Sequence, residues 1–163
     1  MALLIEYFTK EIDELSANNV CIRIIGAYES FASPVRAVIE RAMKRTRENT
    51  GLNLNIALTY GSRAEILRAA NLAMQQAISE GKSEITSEML EQNFYTAGQP
   101  EVDLLIRTSG EQRVSNYLLY QISYAEFLFP KEYWPDFTDE AYLNALREYQ
   151  SRSRRFGGLE EQA

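Results

Sequence analysis

The sequence predicts an α/β fold in which helices cover both faces of a mainly parallel central sheet. Short runs of apolar, β-branched residues alternate with longer segments whose apolar residues recur every three or four positions. Because the connections between runs are long enough to hold a helix, the strands are expected to pair in parallel. The 163 residues are enough for one domain with a buried core, so we expect a single domain over 1–163.

The order of elements follows from the apolar runs and the residues that punctuate them. The predicted strands are 20–25, 52–60, 102–107 and 125–129. The predicted helices are the opening segment to about residue 18, then 33–50, 63–80, 86–94 and 139–154, with a helical turn at 117–121. Ser33, Ser62 and Thr138 are expected N-caps, and Gly51 is expected to end the second helix.

Composition excludes several kinds of site and partner. The chain has no histidine and one cysteine, Cys21, which excludes histidine-based catalysis, an intrachain disulfide and a thiolate zinc cluster. A net charge of −6 and a pI near 4.8 argue against nucleic acid as a partner. No apolar run approaches the ~18 residues of a membrane span, and the acidic opening segment does not resemble a signal peptide. A cytoplasmic location is therefore expected.

The loop after the third predicted strand carries the donors of an anion site. Arg107 ends that strand, Gly110 permits a tight turn, and Arg113 follows six residues after Arg107. Ser115 and Asn116 stand at a predicted helix start, where backbone N–H groups add partial positive charge. Two guanidinium groups, a hydroxyl and free N–H groups are the donors that a diphosphate requires.

A structural alternative remains open for the same residues. In that alternative Arg107 and Arg113 form ion pairs with Glu111 and Asp103, and Ser115 only caps a helix. Local chemistry alone favours this alternative, because most arginines in a single sequence serve surface ion pairs. However, 13 of the 17 basic residues are arginine and six of these lie between 107 and 155, which favours a local anion site.

Four sequence blocks together resemble the signature of a known protein family. The longest is IRTSGEQRVSNYLLYQISYAEFLFPKEYWPDF at 106–137. The others are NVCIRIIG at 19–26, NTGLNLNIALTYGSR at 49–63 and RRFGG at 154–158. The blocks are similar to those of the cis-prenyltransferase family, which lengthens polyprenyl diphosphates and includes undecaprenyl diphosphate synthase. All four follow in the family's order, so the resemblance covers nearly the whole chain.

The resemblance implies a role for individual residues. Arg107, Arg113 and Ser115 match the residues that bind the diphosphate of isopentenyl diphosphate, and Glu126 matches a carboxylate that holds Mg²⁺ across the dimer interface. With Arg107 and Arg113, Glu126 forms the implied catalytic set. Arg155 and Gly157 match a terminal element that reaches the partner subunit's site. The implied cofactor is Mg²⁺, which prefers oxygen ligands and needs no histidine.

The implied activity is condensation of isopentenyl diphosphate onto an allylic prenyl diphosphate, giving a cis-polyprenyl diphosphate of the kind used as a lipid carrier. The family acts as a homodimer or heterodimer, and contact with the membrane surface is implied through the lipid product. Product length, the allylic starter and the oligomeric state of this chain stay open.

Three departures from the family pattern qualify the resemblance. Ser62 and Ser109 stand where the family has glycine, which adds a Cβ at two turns. The family's opening Asp-Gly-Asn phosphate-binding run has no counterpart, so we expect an N-terminally shortened fold that is inactive alone. Three hypotheses remain: an enzyme whose missing segment is supplied, a non-catalytic accessory subunit of a cis-prenyltransferase, or a fragment with no activity.

Overall fold

The protein forms an α/β structure in which every described strand pairing is parallel. The computed structural model describes residues 2–152, and side chains from residue 5 onward. The chain divides into two compact units, Met1–Gly98 and Gln99–Ala163. No helix in the described part of the chain is long and apolar enough to cross a membrane.

The first unit begins with a helix that packs against a parallel strand pair. Its elements are α1 (Ala2–Ala17), β1 (Cys21–Ile25), α2 (Ser33–Thr46), β2 (Asn53–Ala57), α3 (Ser62–Ser79) and α4 (Ser87–Glu91), with a 3₁₀ turn at Tyr28–Ser30. Strands β1 and β2 run in register from Cys21 opposite Asn53 to Ile25 opposite Ala57. Apolar residues of α1, of β1 with the residue before it, and of α2 form one core: Phe8, Ile12, Val20, Ile22, Ile24, Val35, Ile39 and Ala42.

The second unit has a shorter parallel pair and one long helix. Its elements are β3 (Leu104–Ile106), β4 (Glu126–Leu128) and α5 (Asp139–Ser151), with a 3₁₀ turn at Trp134–Asp136. Strands β3 and β4 pair in register from Leu104 opposite Glu126 to Ile106 opposite Leu128. The predicted cap of α5 is confirmed, because the Thr138 hydroxyl accepts a hydrogen bond from the Ala141 amide at 3.2 Å.

Two other predicted caps lie one residue away from their predicted places. Ala32 and Gly61 are the N-caps of α2 and α3, so Ser33 and Ser62 are the first helical residues. Neither cap residue offers a side-chain acceptor, and neither helix start has a side-chain cap bond. The apolar periodicity located the helices correctly, whereas the choice of cap residue depended on the path of the preceding chain.

The prediction that Gly51 ends α2 is wrong. Helix α2 ends at Thr46, where the buried hydroxyl donates to the Ala42 carbonyl at 3.0 Å and accepts from the Ile22 amide at 3.0 Å. Gly51 is required for a different reason: a Cβ at that position would lie 2.5 Å from the Asn19 carbonyl oxygen. The glycine therefore permits a close approach between two segments that lead into β1 and β2.

Candidate functional site

The loop that follows β3 is fixed to the chain that follows β4 by backbone hydrogen bonds. The Arg107 amide donates to the Leu128 carbonyl at 2.9 Å, which extends the strand pairing by one residue. The Ser109 amide donates to the Glu132 carbonyl at 2.7 Å, and the Gly110 amide donates to the Pro130 carbonyl at 2.8 Å. The start of the loop is therefore a defined structure, and the arginine side chain leaves it from an anchored backbone.

Arg107 and Ser115 are brought together as the sequence predicted. One terminal nitrogen of the Arg107 guanidinium donates to the Ser115 hydroxyl oxygen at 2.8 Å and to the Arg113 carbonyl oxygen at 2.6 Å. The hydrogen bond to the Arg113 carbonyl joins two residues of the loop that lie six positions apart. Both acceptors are neutral, so neither contact compensates the positive charge of Arg107. That charge still attracts anions.

Arg113 follows the structural alternative instead. Its guanidinium forms an ion pair with the Glu111 carboxylate, and the two side chains are 61% and 41% exposed. An ion pair with this exposure contributes little free energy, because water screens both charges. The sequence left two interpretations of Arg113 open, and the structure shows the ion pair with Glu111 that the structural alternative named.

The predicted helix start at Ser115 and Asn116 is wrong. Both residues have positive φ, +48° and +62°, and Leu118 has φ +44°, so the chain there forms turns rather than a helix. A left-handed conformation at consecutive residues prevents an α-helix from beginning. Consequently no α-helix begins at these two residues, and the predicted contribution of a helix N-terminus to the loop is removed.

The serine that replaces a family glycine at position 109 lies in a left-handed conformation. Ser109 has φ +72° and is followed by Gly110 at φ +67°. A Cβ in this region costs roughly 1–2 kcal/mol, which explains why glycine suits the position. Ser62, the other serine that replaces a family glycine, is fully buried as the first residue of α3, and its φ is not positive. Only one of the two serines therefore carries conformational strain.

Glu126, the residue implied to hold Mg²⁺, is engaged by an arginine that the sequence analysis did not single out. Arg152 donates to Glu126 Oε2 at 2.9 Å and to Glu148 Oε1 at 2.6 Å, and also reaches the Phe127 carbonyl at 3.2 Å. The hydrogen bonds that Arg152 donates to Glu126, and then to Glu148, raise the pKa of Arg152 above its ordinary value. The sequence feature that could have pointed to Arg152 is its position four residues after Glu148, since side chains at this spacing pair along a helix.

The donor set around Glu126 offers a single carboxylate, so tight binding of Mg²⁺ there requires a substrate to supply most of the ligands. Within the residues that the structure describes, no group of three or more metal-binding side chains is assembled. Mg²⁺ is often held by one or two carboxylates together with phosphate oxygens and water. Glu126 fits the role of such a single carboxylate, with Arg152 as its present partner.

A groove lies between β4 and α5 beside this ion pair. Its volume is about 580 Å³, and its lining includes the aromatic rings of Phe127, Phe129 and Phe137 as well as Glu148 and Arg152. Trp134 stacks on Phe137 with ring centroids 6.2 Å apart and is 75% exposed. The second unit therefore presents a groove of mixed aromatic and acidic lining next to Glu126.

In the first unit, the turn after β2 is held by a buried carboxylate. Glu65 of α3 is 1% exposed; its Oε2 accepts from the Tyr60 hydroxyl at 2.5 Å and its Oε1 from the Tyr95 amide at 2.8 Å. Arg68 lies 4.3 Å from the centre of the Tyr95 ring and donates to the Asn93 carbonyl at 2.7 Å. The predicted strand 52–60 leads into this turn, whereas the role of Glu65 was not predicted from the sequence.

Arg155 and Gly157, the predicted element for a partner subunit's site, lie outside the described residues. Their role stays a prediction, as do the substrate and metal roles of Arg107, Arg113, Ser115 and Glu126.

The fold makes this chain an α/β protein with parallel strand pairs, and an arginine-bearing loop follows one of these strands. The family model described as putative undecaprenyl diphosphate synthase matches residues 1–157. The chain therefore belongs to the undecaprenyl diphosphate synthase family of prenyltransferases, which confirms the resemblance and the α/β fold.

Curated relatives agree with this assignment. An isoprenyl transferase of Listeria innocua is 45% identical over 161 residues, which cover 98% of this chain and 64% of the relative. One from Bacillus thuringiensis is 46% identical, with 98% of this chain and 62% of the relative covered. One from Agrobacterium fabrum is 44% identical, with 99% and 66% covered. The chain thus spans roughly two thirds of the length of these relatives.

Solved structures share the fold. A probable undecaprenyl diphosphate synthase from Campylobacter jejuni matches with a TM-score of 0.82 and 32% identity over 96% of this chain and 72% of that chain. Lavandulyl diphosphate synthase from Lavandula x intermedia, solved with dimethylallyl diphosphate, matches with a TM-score of 0.87 and 30% identity over 96% and 69%.

Proposed function

We propose that this chain binds isopentenyl diphosphate through the loop after β3 and serves in its condensation onto an allylic prenyl diphosphate, giving a cis-polyprenyl diphosphate. Arg107 and Ser115 bind the diphosphate together, and Arg113 joins them when the anion displaces Glu111. The proposal places the protein in the cytoplasm, as a homodimer or a heterodimer with another cis-prenyltransferase subunit.

The observation that supports this proposal is the contact between Arg107 and Ser115. Their 2.8 Å hydrogen bond brings a cationic fork and a hydroxyl to one point at the end of a parallel strand. A diphosphate offers several acceptor oxygens, so it can take a hydrogen bond from both groups at once. Ligands of open parallel sheets bind at the carboxyl ends of strands, which is where this loop begins.

Glu126 is proposed to contribute one carboxylate ligand to Mg²⁺, with the remaining ligands from diphosphate oxygens and water. When bound, the ion neutralises negative charge that develops on the leaving allylic diphosphate. The chain's own donors, Arg107 and Ser115, hold the diphosphate of the acceptor substrate in a fixed orientation.

Calorimetry with isopentenyl diphosphate, with and without Mg²⁺, tests the binding claim. The Arg107→Ala variant should weaken binding by at least about tenfold, because a charge-assisted hydrogen bond contributes roughly 1.5–3 kcal/mol. Arg147→Ala is the matched control, since Arg147 is an exposed arginine whose guanidinium donates to Asn144 on the same helix. Equal affinity for wild type and Arg107→Ala would remove the proposed site.

The accessory-subunit hypothesis has a separate experiment. The family match extends to residue 157 and so includes Arg155 and Gly157. Incorporation of radiolabelled isopentenyl diphosphate is measured for this chain alone, for a complete homologue, and for the mixture. Stimulation by the wild-type chain but not by Arg155→Ala supports an accessory role. Incorporation by this chain alone supports the enzyme, and no effect of mixing argues against the accessory role.

A further inference from the structure

The pairing of Glu126 with Arg152 joins the proposed metal ligand to the end of the last helix. Arg152 directly follows α5 as its C-cap, and its backbone amide donates to the Tyr149 carbonyl. Its side chain crosses to β4, where it binds Glu126 Oε2 and the Phe127 carbonyl. Glu126 is itself fixed at the start of β4, because its amide donates to the Asp103 carbonyl at 2.9 Å.

The guanidinium is shared between two carboxylates through different nitrogens. One terminal nitrogen binds Glu126 at 2.9 Å, and the other binds Glu148 at 2.6 Å. The Arg152 and Glu126 side chains are 32% and 27% exposed, so the pair is accessible to a small ion, while Glu148 is 56% exposed. Glu148 can therefore retain Arg152 when Glu126 turns away, which makes release of Glu126 less costly.

A divalent cation and a guanidinium compete for the same carboxylate oxygen. An isolated carboxylate is free to ligate Mg²⁺, whereas one held by arginine must first give up a charge-assisted hydrogen bond. The geometry points to Arg152 as a positioning residue that acts through Glu126: it holds the carboxylate in place and lowers its affinity for a metal ion until the ion pair exchanges to Glu148. This inference rests on the proposed metal role of Glu126.

Paramagnetic broadening by Mn²⁺, used as a probe of Mg²⁺ sites, measures this competition without substrate or turnover. Mn²⁺ is titrated into isotope-labelled protein, and the loss of the Glu126 and Phe127 amide signals gives an apparent midpoint. The Arg152→Gln variant should lower this midpoint about two- to fivefold, the range expected for an ion pair of this exposure. Arg147→Gln removes the same charge from α5 without touching Glu126 and should leave the midpoint within about a factor of 1.5.

Two further variants separate positioning from a general effect of charge or folding. The double variant Arg152→Gln with Glu126→Gln should lose the selective broadening, because the effect requires the carboxylate. Glu148→Gln should raise the midpoint. Of the two carboxylates that share Arg152, only Glu126 is then left, so Arg152 holds it more tightly against the metal ion. If the amide spectrum of Arg152→Gln shows that this variant does not fold, the direction in which Glu148→Gln shifts the Mn²⁺ midpoint tests the inference alone.

The inference is overturned by an unchanged midpoint in Arg152→Gln, by broadening that persists when Glu126 is also replaced, or by a midpoint in Glu148→Gln that does not rise. Isopentenyl diphosphate is added only afterwards, to the same samples. Failure of the diphosphate to shift the amides of residues 107–115 would contradict the proposed function and leave the Mn²⁺ result to decide the role of Arg152.

Discussion

The turn after β2 and the loop after β3 both follow a parallel strand, yet they satisfy their charged groups in opposite ways. At the turn after β2, the Glu65 carboxylate is buried and accepts from a tyrosine hydroxyl and a backbone amide. At the loop after β3, Arg113 is 61% exposed and paired with a carboxylate that is itself 41% exposed. The first arrangement excludes water, and the second remains in contact with it.

This difference separates a stabilising role from a binding role. A buried charged group without its hydrogen bonds is costly, so the partners of Glu65 cannot be exchanged for a ligand. Exposed arginine pairs are worth little, so a diphosphate can replace Glu111 at Arg113 with a small loss. Residues at the ends of strands are therefore not equivalent, and the burial of their present partners indicates which ones are available to substrate.

The largest expected effect is on stability and comes from the buried carboxylate. Replacing Glu65 by leucine removes the acceptor of the Tyr60 hydroxyl and the Tyr95 amide, each bond being worth roughly 1–3 kcal/mol when lost in the interior. We expect the free energy of unfolding to fall by about 3 kcal/mol, measured by urea denaturation. Glu84→Leu, at an exposed position, should change it by less than about 0.5 kcal/mol. Equal losses for the two variants would contradict the contrast.

A smaller effect is expected on ligand binding in the loop after β3. Glu111→Gln releases Arg113 from its ion pair and should tighten pyrophosphate binding about two- to threefold by calorimetry, the gain expected from an exposed pair. Glu101→Gln removes the same charge from another exposed position in the second unit and serves as the control. The gain should disappear when Arg113→Ala is added. If it persists there, Glu111 acts through net charge rather than through Arg113.

The smallest effect concerns the two serines that replace family glycines. Ser109→Gly should raise the free energy of unfolding by about 0.5 kcal/mol, because relief of the left-handed conformation exceeds the entropy that glycine adds to the unfolded chain. Ser62→Gly should lower it by about 0.5 kcal/mol or more, because glycine is a poorer helix former than serine. Urea denaturation of both variants checks the signs. If both substitutions changed the free energy of unfolding in the same direction, backbone conformation would not distinguish the two positions.

Apolar patterning predicted the helices and strands, and it also located the arginine loop. The periods of two and of three to four residues depend on one face of each element being buried, which is a property of the local sequence. The caps at Ser33 and Ser62, the end of α2 and the helix at Ser115 were wrong. Each of these depends on where a neighbouring segment lies, as the approach of Gly51 to the Asn19 carbonyl illustrates.

The sequence by itself determined the order of the helices and strands, the parallel pairing of the strands and the placement of Arg107 and Ser115 at a strand end. Only the tertiary structure decided the partners of two buried or half-buried carboxylates: Arg152 for Glu126, and Tyr60 with Tyr95 for Glu65. The physical reason is that patterning reports which side of an element is buried, whereas an ion pair requires a distance of a few ångströms between two side chains. That distance is set by the packing of elements and is not encoded in the period of either one.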